Sequence, residues 1–368
     1  MGRFLSVLPK FDWVLLGAGL ILVAFGLAAI YSVALSAQGG DLQFFQKQLI
    51  AFALGTLLIG GVSFSNYRLF RSWTLLFYIV GLVLLAGVLV FGTTIRGTTG
   101  WYHVFGFSFQ PVEVMKVVLV FVLAKYFSEK ARRQFGWREL GTSGLLTFIP
   151  VALVMAQPDF GSAAILIGVW AIFVFFAGIR LKHAAVLSAL ALVSGGIAWV
   201  LFFADYQKER ILIFLDPSRD PLGRGYNVLQ AIIAVGSGKF FGRGLGFGSQ
   251  SQLKFLPESQ TDFIFAVIAE ELGFVGVLFV LCAFALLFLR LFRLLRLSRD
   301  DYTSYLLIGC GGVLFTQVLV NVGMNVGLMP VTGIALPFVS YGGSSLLMSL
   351  LMLGLLESIA VRTSSKIG

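Results

Sequence analysis

Residues 14–37 read VLLGAGLILVAFGLAAIYSVALSA, 24 consecutive positions without a charged side chain. As an α-helix this run is about 36 Å long, enough to cross the roughly 30 Å hydrocarbon layer of a bilayer. Residues 73–95 and 184–204 are further long runs without an acidic or basic residue. In lipid every backbone N–H and C=O must be satisfied internally, which a helix does within one segment. Composition agrees: 58% apolar against 12% charged residues leaves too little polar surface to keep a 368-residue globule in water. The first run follows Arg3 and Lys10, as a secretory signal would, but it exceeds the roughly 7 to 15 apolar residues of a signal core, so it is read as a retained span.

Hydropathy and helix breakers place spans near residues 12–35, 48–64, 73–94, 112–128, 141–157, 160–179, 184–204, 262–290, 303–329 and 342–361. The fold expected is therefore an all-α polytopic membrane protein of about ten transmembrane helices, a single domain over residues 1–368 with both termini on one side. The basic residues say which side. Seventeen of the 27 Lys and Arg fall on one face: Arg3, Lys10, Arg68, Arg71, the 125–138 loop, Arg180, Lys182, the arginines at 290, 293, 296 and 299, Arg362 and Lys366. By the positive-inside rule that face is the cytoplasm. The net charge of +10 is thus largely a topology signal and gives no nucleic-acid footprint.

The long loop between spans 7 and 8, residues 205–261, is expected outside. It holds Asp216-Pro217 and Asp220-Pro221, an apolar stretch from Tyr226 to Val235, and a glycine-rich run from Gly236 to Gly248. This pattern suits a short amphipathic helix in the outer interface flanked by glycine turns. A second irregular segment, residues 328–344, carries Pro330, Gly333, Pro337, Gly342 and Gly343 at or near bilayer depth, which is tolerated only where protein covers it or it lines a cavity. Both lie toward the outer side, where the site is expected.

Ionisable residues in or beside spans are costly and so are functional candidates by default. Glu113 and Lys116 stand at i and i+3 below Gln110-Pro111, and either form an ion pair that lets the helix insert or bring a lysine to a substrate phosphate. Asp262 follows Leu256-Pro257-Glu258 and Thr261 at the outer rim; Thr261 or Asp262 could cap the eighth span, or Asp262 could be a catalytic carboxylate. Glu270 and Glu271 lie deeper in that span and either pair internally or face a cavity. Asp159 is placed to cap the sixth span. Gly236-Ser237-Gly238-Lys239 fails as a phosphate loop, because Phe240 stands where Ser or Thr is needed. The two cysteines, Cys282 and Cys310, sit in apolar runs, and the two histidines, His103 and His183, lack neighbouring ligands, so no protein-built metal site is expected.

Phe109-Gln110-Pro111 with Glu113 and Lys116, Gln157-Pro158-Asp159 with Gly161, Asp216-Pro217 through Gly225-Tyr226, Leu256-Pro257-Glu258 with Thr261 to Phe265, and Pro337 to Ser345 together resemble the SEDS family (shape, elongation, division and sporulation proteins). The likeness runs in order over nearly the whole chain. Gln250 to Phe255 and Ala269-Glu270-Glu271-Leu272-Gly273 resemble the elongation branch. The resemblance implies a peptidoglycan glycosyltransferase that polymerises lipid II at the outer face of the bacterial cytoplasmic membrane, beside a class B penicillin-binding protein and other elongation-complex proteins. It places the catalytic carboxylate on Asp262 and functionally sensitive residues on Glu113 and Lys116, with Gln110, Glu258 and Ser340 in the matching motifs. The leaving pyrophosphate calls for positive charge from Lys116, Arg210 or a divalent cation such as magnesium or manganese. Two positions depart from the pattern. Val112 stands where a small residue is usual, and Gly100 precedes Trp101 where Arg is frequent, which leaves open a cation such as Arg96. A lipid II flippase and a non-catalytic scaffold are the competing readings.

Overall fold

A computed structural model describes residues 10–35, 42–95, 97–104, 106–130, 136–202, 205–220, 223–253 and 255–364. Arg3, Arg96, Lys254, Lys366 and the centre of the 125–138 loop lie outside them. Ten long helices follow one another: α1 (Trp13–Leu35), α2 (Gln43–Phe64), α3 (Thr74–Phe91), α4 (Pro111–Lys130), α5 (Trp137–Ala156), α6 (Phe160–Phe176), α7 (Leu181–Ile197), α8 (Ile264–Leu297), α9 (Asp301–Asn325) and α10 (Gly343–Ser364). Eight are long and apolar enough to cross a membrane; α6 is an apolar helix of 17 residues, and α4 carries Glu113, Lys116 and Lys125 within its length. The protein is a multi-pass membrane protein of the expected class.

Helix α4 is the hub. Fourteen of its residues are buried, among them Met115 through Ala124, and it packs on α3, α9, α6, α5 and α10. Helix α7 is the opposite case, with His183 as its buried residue among the described side chains. It continues into a π turn, Ala198–Phe202. Between α3 and α4, where only a loop was expected, three short antiparallel strands form: β1 (Thr93–Ile95), β2 (Thr98–Val104) and β3 (Phe107–Phe109). The run is rich in Thr and aromatic residues, with Gly97 and Gly106 at φ 81° and 79° in the two turns.

Side-chain contacts show which ends lie together. Arg290 of α8 pairs with Asp12, just before α1, at 2.7 Å, and the Asp12 amide donates to Glu357 of α10 at 3.0 Å. The start of α1 and the later part of α10 therefore share one end of the bundle. Twenty residues along α1, the Ser32 hydroxyl donates to Glu271 of α8 at 2.8 Å, nineteen residues before Arg290. The two helices thus run antiparallel over about 30 Å, one hydrocarbon thickness.

That register revises the eighth span, which was read as residues 262–290. Helix α8 is broken at Gly273, at φ 67° and ψ −165°, so the crossing starts near Glu271 and residues 264–272 form a separate leg. The glycine-rich segment satisfies the backbone groups freed by the break. Arg243 N donates to Glu270 O (3.0 Å), Gly244 N to Glu271 O (2.9 Å), Phe274 N to Lys239 O (2.9 Å) and Val275 N to Phe240 O (3.1 Å). Glycine is required for so close an approach: a Cβ on Gly273 would meet the Gly242 amide and the Phe240 carbonyl. We expect Gly273→Ala to lose on the order of 3 kcal/mol or more of stability, from a Gly-only backbone region and a backbone clash, read as a fall in melting temperature in detergent.

The other loop elements are helices Asp205–Leu215, Arg224–Ser237 and Ser249–Gln252. The second contains the stretch read as amphipathic, with Val228, Ala231 and Ala234 buried and Leu229, Ile232 and Ile233 exposed.

Candidate active site

At the end of the bundle away from Asp12 and Glu357, two irregular segments are stitched together around Asp262. The first is residues 256–263. Glu258 adopts φ 56°, and its carbonyl accepts from Thr261 N (3.0 Å) and Phe263 N (3.3 Å), closing a tight turn. The Thr261 hydroxyl donates to Glu258 Oε2 at 3.1 Å. A non-glycine residue in the left-handed region costs on the order of 1 kcal/mol or more, a strain found most often at functional sites. The second segment joins α9 to α10, with Gly333 at φ 74° and Phe338 at φ 65°.

Ser340 is one of the stitches. Its hydroxyl donates to Thr261 O at 2.7 Å and accepts from Leu336 N at 2.8 Å, and Tyr341 N donates to Gln260 O at 2.8 Å. From α2, Gln48 clamps the same stretch, donating to Ser340 O and accepting from Gly342 N, each at 3.1 Å. Ser340 is thus a buried structural tie in the site wall. Burial raises the Tyr341 phenol above its ordinary value, which keeps it a neutral hydroxyl.

Asp262 is partly exposed and does not cap α8. The N-cap is Phe263, without a side-chain cap hydrogen bond, which sets aside the capping reading of Thr261 and Asp262. The carboxylate faces the second segment: a Cβ on Gly333 would lie 3.6 Å from Asp262 Oδ2. The Asp262 carbonyl accepts from Asn321 Nδ2 and Asn325 Nδ2 of α9, each at 3.0 Å. These two asparagines, fully buried, went unremarked in the sequence; their signal is an i, i+4 pair of amides within a membrane span. Beside Gly333, Thr332 Oγ1 is buried without a hydrogen-bond partner.

The wall continues through α6 and α4. A Cβ on Gly161 would lie 2.5 Å from the Thr332 carbonyl oxygen, so the start of α6 sits directly against the second segment. Asp159 caps α6 as expected, accepting from Ser162 N (2.9 Å) and Oγ (2.7 Å), and also accepts from Gln110 Nε2 at 3.3 Å. Gln110 N donates to Ser344 Oγ at the head of α10. One turn below, Lys116 Nζ donates to Glu113 Oε1 at 2.7 Å, with Lys116 3% and Glu113 7% exposed. Sequence-expected residues Asp262, Ser340, Glu258, Gln110, Glu113 and Lys116 therefore belong to one end of the bundle, linked by neighbouring contacts. Arg210 lies in the helix Asp205–Leu215, with its side chain outside the described residues.

Glu270 and Glu271 serve a different place. Glu270 accepts from Gln250 N (2.8 Å) and Ser251 N (3.1 Å), holding the head of the short helix Ser249–Gln252, and Glu271 accepts from Ser32, Ser251 and Gln252. Among the described residues no group of three or more His, Cys, Asp and Glu forms a metal site.

The family model described as "Cell cycle protein", which covers FtsW, RodA and SpoVE, matches residues 12–365. The chain belongs to the SEDS family. It is 37% identical to Stage V sporulation protein E of Bacillus subtilis over 95% of this chain and 96% of that one. It is 36% identical to the peptidoglycan glycosyltransferase MrdB of Escherichia coli over 88% of this chain and 87% of that one. Among solved structures, it superposes with a TM-score of 0.80 and 35% identity on a chain from a study of how a peptidoglycan synthase complex coordinates polymerization and crosslinking, covering 96% and 98% of the two chains. SEDS membership agrees with the sequence motifs and with the helical membrane fold.

Proposed function

We propose that this chain is a peptidoglycan glycosyltransferase that polymerises lipid II at the outer face of the cytoplasmic membrane during cell elongation. The observation that carries the proposal is the Asp262 carboxylate, held beside Gly333 between two irregular segments at one end of an apolar bundle. Lipid II combines a polyprenyl tail, a pyrophosphate and a disaccharide, so its polymerase needs lipid access and polar chemistry at the membrane rim. The place of Asp262 at one end of an apolar helix bundle supports this reading.

In this reading Asp262 takes the proton from the acceptor sugar's 4-hydroxyl as that oxygen attacks the anomeric carbon of the donor. The bond to the lipid pyrophosphate breaks on the opposite face, and the anomeric configuration inverts. A positioned general base contributes roughly 10² to 10⁴ in rate. Positive charge for the leaving pyrophosphate would come from Lys116, released from Glu113, from Arg210, or from a divalent cation. Gln110 and Glu258 hold the surrounding backbone and Asp159. The similarity to a chain studied within a peptidoglycan synthase complex supports a class B penicillin-binding protein as partner, which cross-links the strands. The elongation role rests on the likeness of residues 250–255 and 269–273 to that branch.

Purified protein given lipid II in detergent micelles tests the activity, with and without the penicillin-binding partner. Micelles have no two sides, so glycan strands formed there come from a polymerase and not from a flippase. No strands under either condition would remove the proposal.

The basic residues set the orientation. Single cysteines at Thr94, in β1, and Arg299, between α8 and α9, are both exposed positions. We expect an impermeant thiol reagent to label the first from outside the cell and the second only after the membrane is opened. Labelling of both from one side would overturn the ten-crossing topology.

A further inference from the structure

The two asparagines of α9 do more than satisfy a carbonyl. In a helix continued back through Asp262, the Ala266 amide would donate to the Asp262 carbonyl, the ordinary i to i−4 bond. Here the Asn325 carboxamide stands at both positions. Its Oδ1 accepts from Ala266 N at 3.1 Å, and its Nδ2 donates to Asp262 O at 3.0 Å. The side chain replaces the helical bond with a bridge one amide wide. Helix α8 accordingly starts at Ile264, and Phe263 leaves helical geometry at φ −107°, ψ 19°. Asn321 Nδ2 reaches the same carbonyl at 3.0 Å and Ile334 O at 2.7 Å, fastening Asp262 to the residue after Gly333. Asn325 Nδ2 also donates to Asn321 O at 2.8 Å, which fixes the pair to one another. Both are 0% exposed.

We propose that Asn325 is a positioning residue for polymerisation: its carboxamide, inserted in the turn between Asp262 and Ala266, holds Asp262 off the end of α8 with its carboxylate against the Gly333 segment. The proposal rests on Asp262 being the general base. The reason is local. Buried backbone donors and acceptors are almost always paired. Without the amide, Ala266 N–H loses its acceptor and Asp262 C=O one of its two donors, and the i to i−4 bond between them would supply both while adding residues to the head of α8. The Asp262 side chain then turns with the helix, away from Gly333. Asn321 opposes this by holding the carbonyl toward Ile334, but it offers nothing to Ala266.

The test uses full-length protein in micelles with lipid II, measuring kcat and KM for Asn325→Leu, Asn325→Gln and Asp262→Asn. Leucine is close in volume and suits the apolar span but has neither donor nor acceptor. Glutamine keeps the carboxamide, displaced by one methylene, and serves as the test if the leucine variant does not fold. A misplacement near 1 Å costs about 10²-fold, so kcat of Asn325→Leu should fall by about that factor, with KM within about threefold of wild type. Asn325→Gln should lose about tenfold or more in kcat, again without a change in KM. A folded leucine or glutamine variant with wild-type kcat overturns the proposal, as does a loss that falls mainly on KM. Asp262→Asn separates the two levels of inference. If it is inactive while Asn325→Leu is fully active, only the positioning role fails; if it is active while Asn325→Leu is not, the base assignment fails and the positioning role with it.

Discussion

Asp262→Asn should fold, bind lipid II and polymerise it at least about 10²-fold more slowly than wild type, since the amide keeps the shape of the side chain but cannot accept a proton. The N-cap of α8 is Phe263, and the Asp262 contacts that set the backbone come from its carbonyl, held by Asn321 and Asn325. A carboxylate lost from a cap would reduce stability by about 1 kcal/mol and leave turnover intact. The two outcomes therefore separate on one protein preparation, with melting temperature reporting the structural share and single-turnover polymerisation the chemical one. Turnover within a few-fold of wild type would take Asp262 out of the mechanism and move the search to Glu258, whose φ of 56° and contact with Thr261 place it in the same turn.

How far the sequence reveals this protein depends on the range of the interactions involved. The ten helices were legible because a membrane span is a local property: an uncharged run of about 20 residues has few alternatives in lipid. The roles of Asp159 as a cap and of Pro111 at the first position of α4 were legible for the same reason, being set within four residues. The break at Gly273 was not. Glycine within an apolar helix is unremarkable by itself, and the backbone that makes the break tolerable comes from Lys239 to Gly244, about thirty residues earlier in the chain. The strands at residues 93–109 escaped because they are three to seven residues long and pair only with each other. At the site, motif likeness found Asp262, Ser340 and Gln110, while Asn321 and Asn325 acquire meaning only from the carbonyl they face, 59 and 63 residues away in sequence. Ser340 shows the converse limit. The resemblance sets it in a motif beside the catalytic carboxylate, and the structure shows its hydroxyl shared between Thr261 and Leu336.

Removing one partner of the Glu113–Lys116 pair should be far more damaging to the fold than removing both. Their 2.7 Å contact lies inside a helix with fourteen of its twenty residues buried, with side chains 9% and 4% exposed. Lys116→Met strands the Glu113 carboxylate among apolar residues, and breaking a buried pair in this way costs about 3 to 5 kcal/mol. Glu113→Gln with Lys116→Met leaves no charge to compensate, and replacing a buried pair by apolar or neutral groups is commonly neutral or stabilising by about 1 to 4 kcal/mol. The double variant should therefore be expressed and melt at or above the wild-type temperature. Its polymerisation is the informative measurement. An ion pair buried one turn beneath Gln110, next to the site wall, is costly in hydrocarbon and adds nothing an apolar pair could not add to packing. If Lys116 supplies positive charge to the leaving pyrophosphate, the double variant stays folded and loses at least about tenfold in turnover, a loss of 1.4 kcal/mol or more in transition-state stabilisation. Wild-type turnover in a stable double variant would make the pair a device for helix packing alone, and would assign the phosphate charge to Arg210 or to a bound divalent cation.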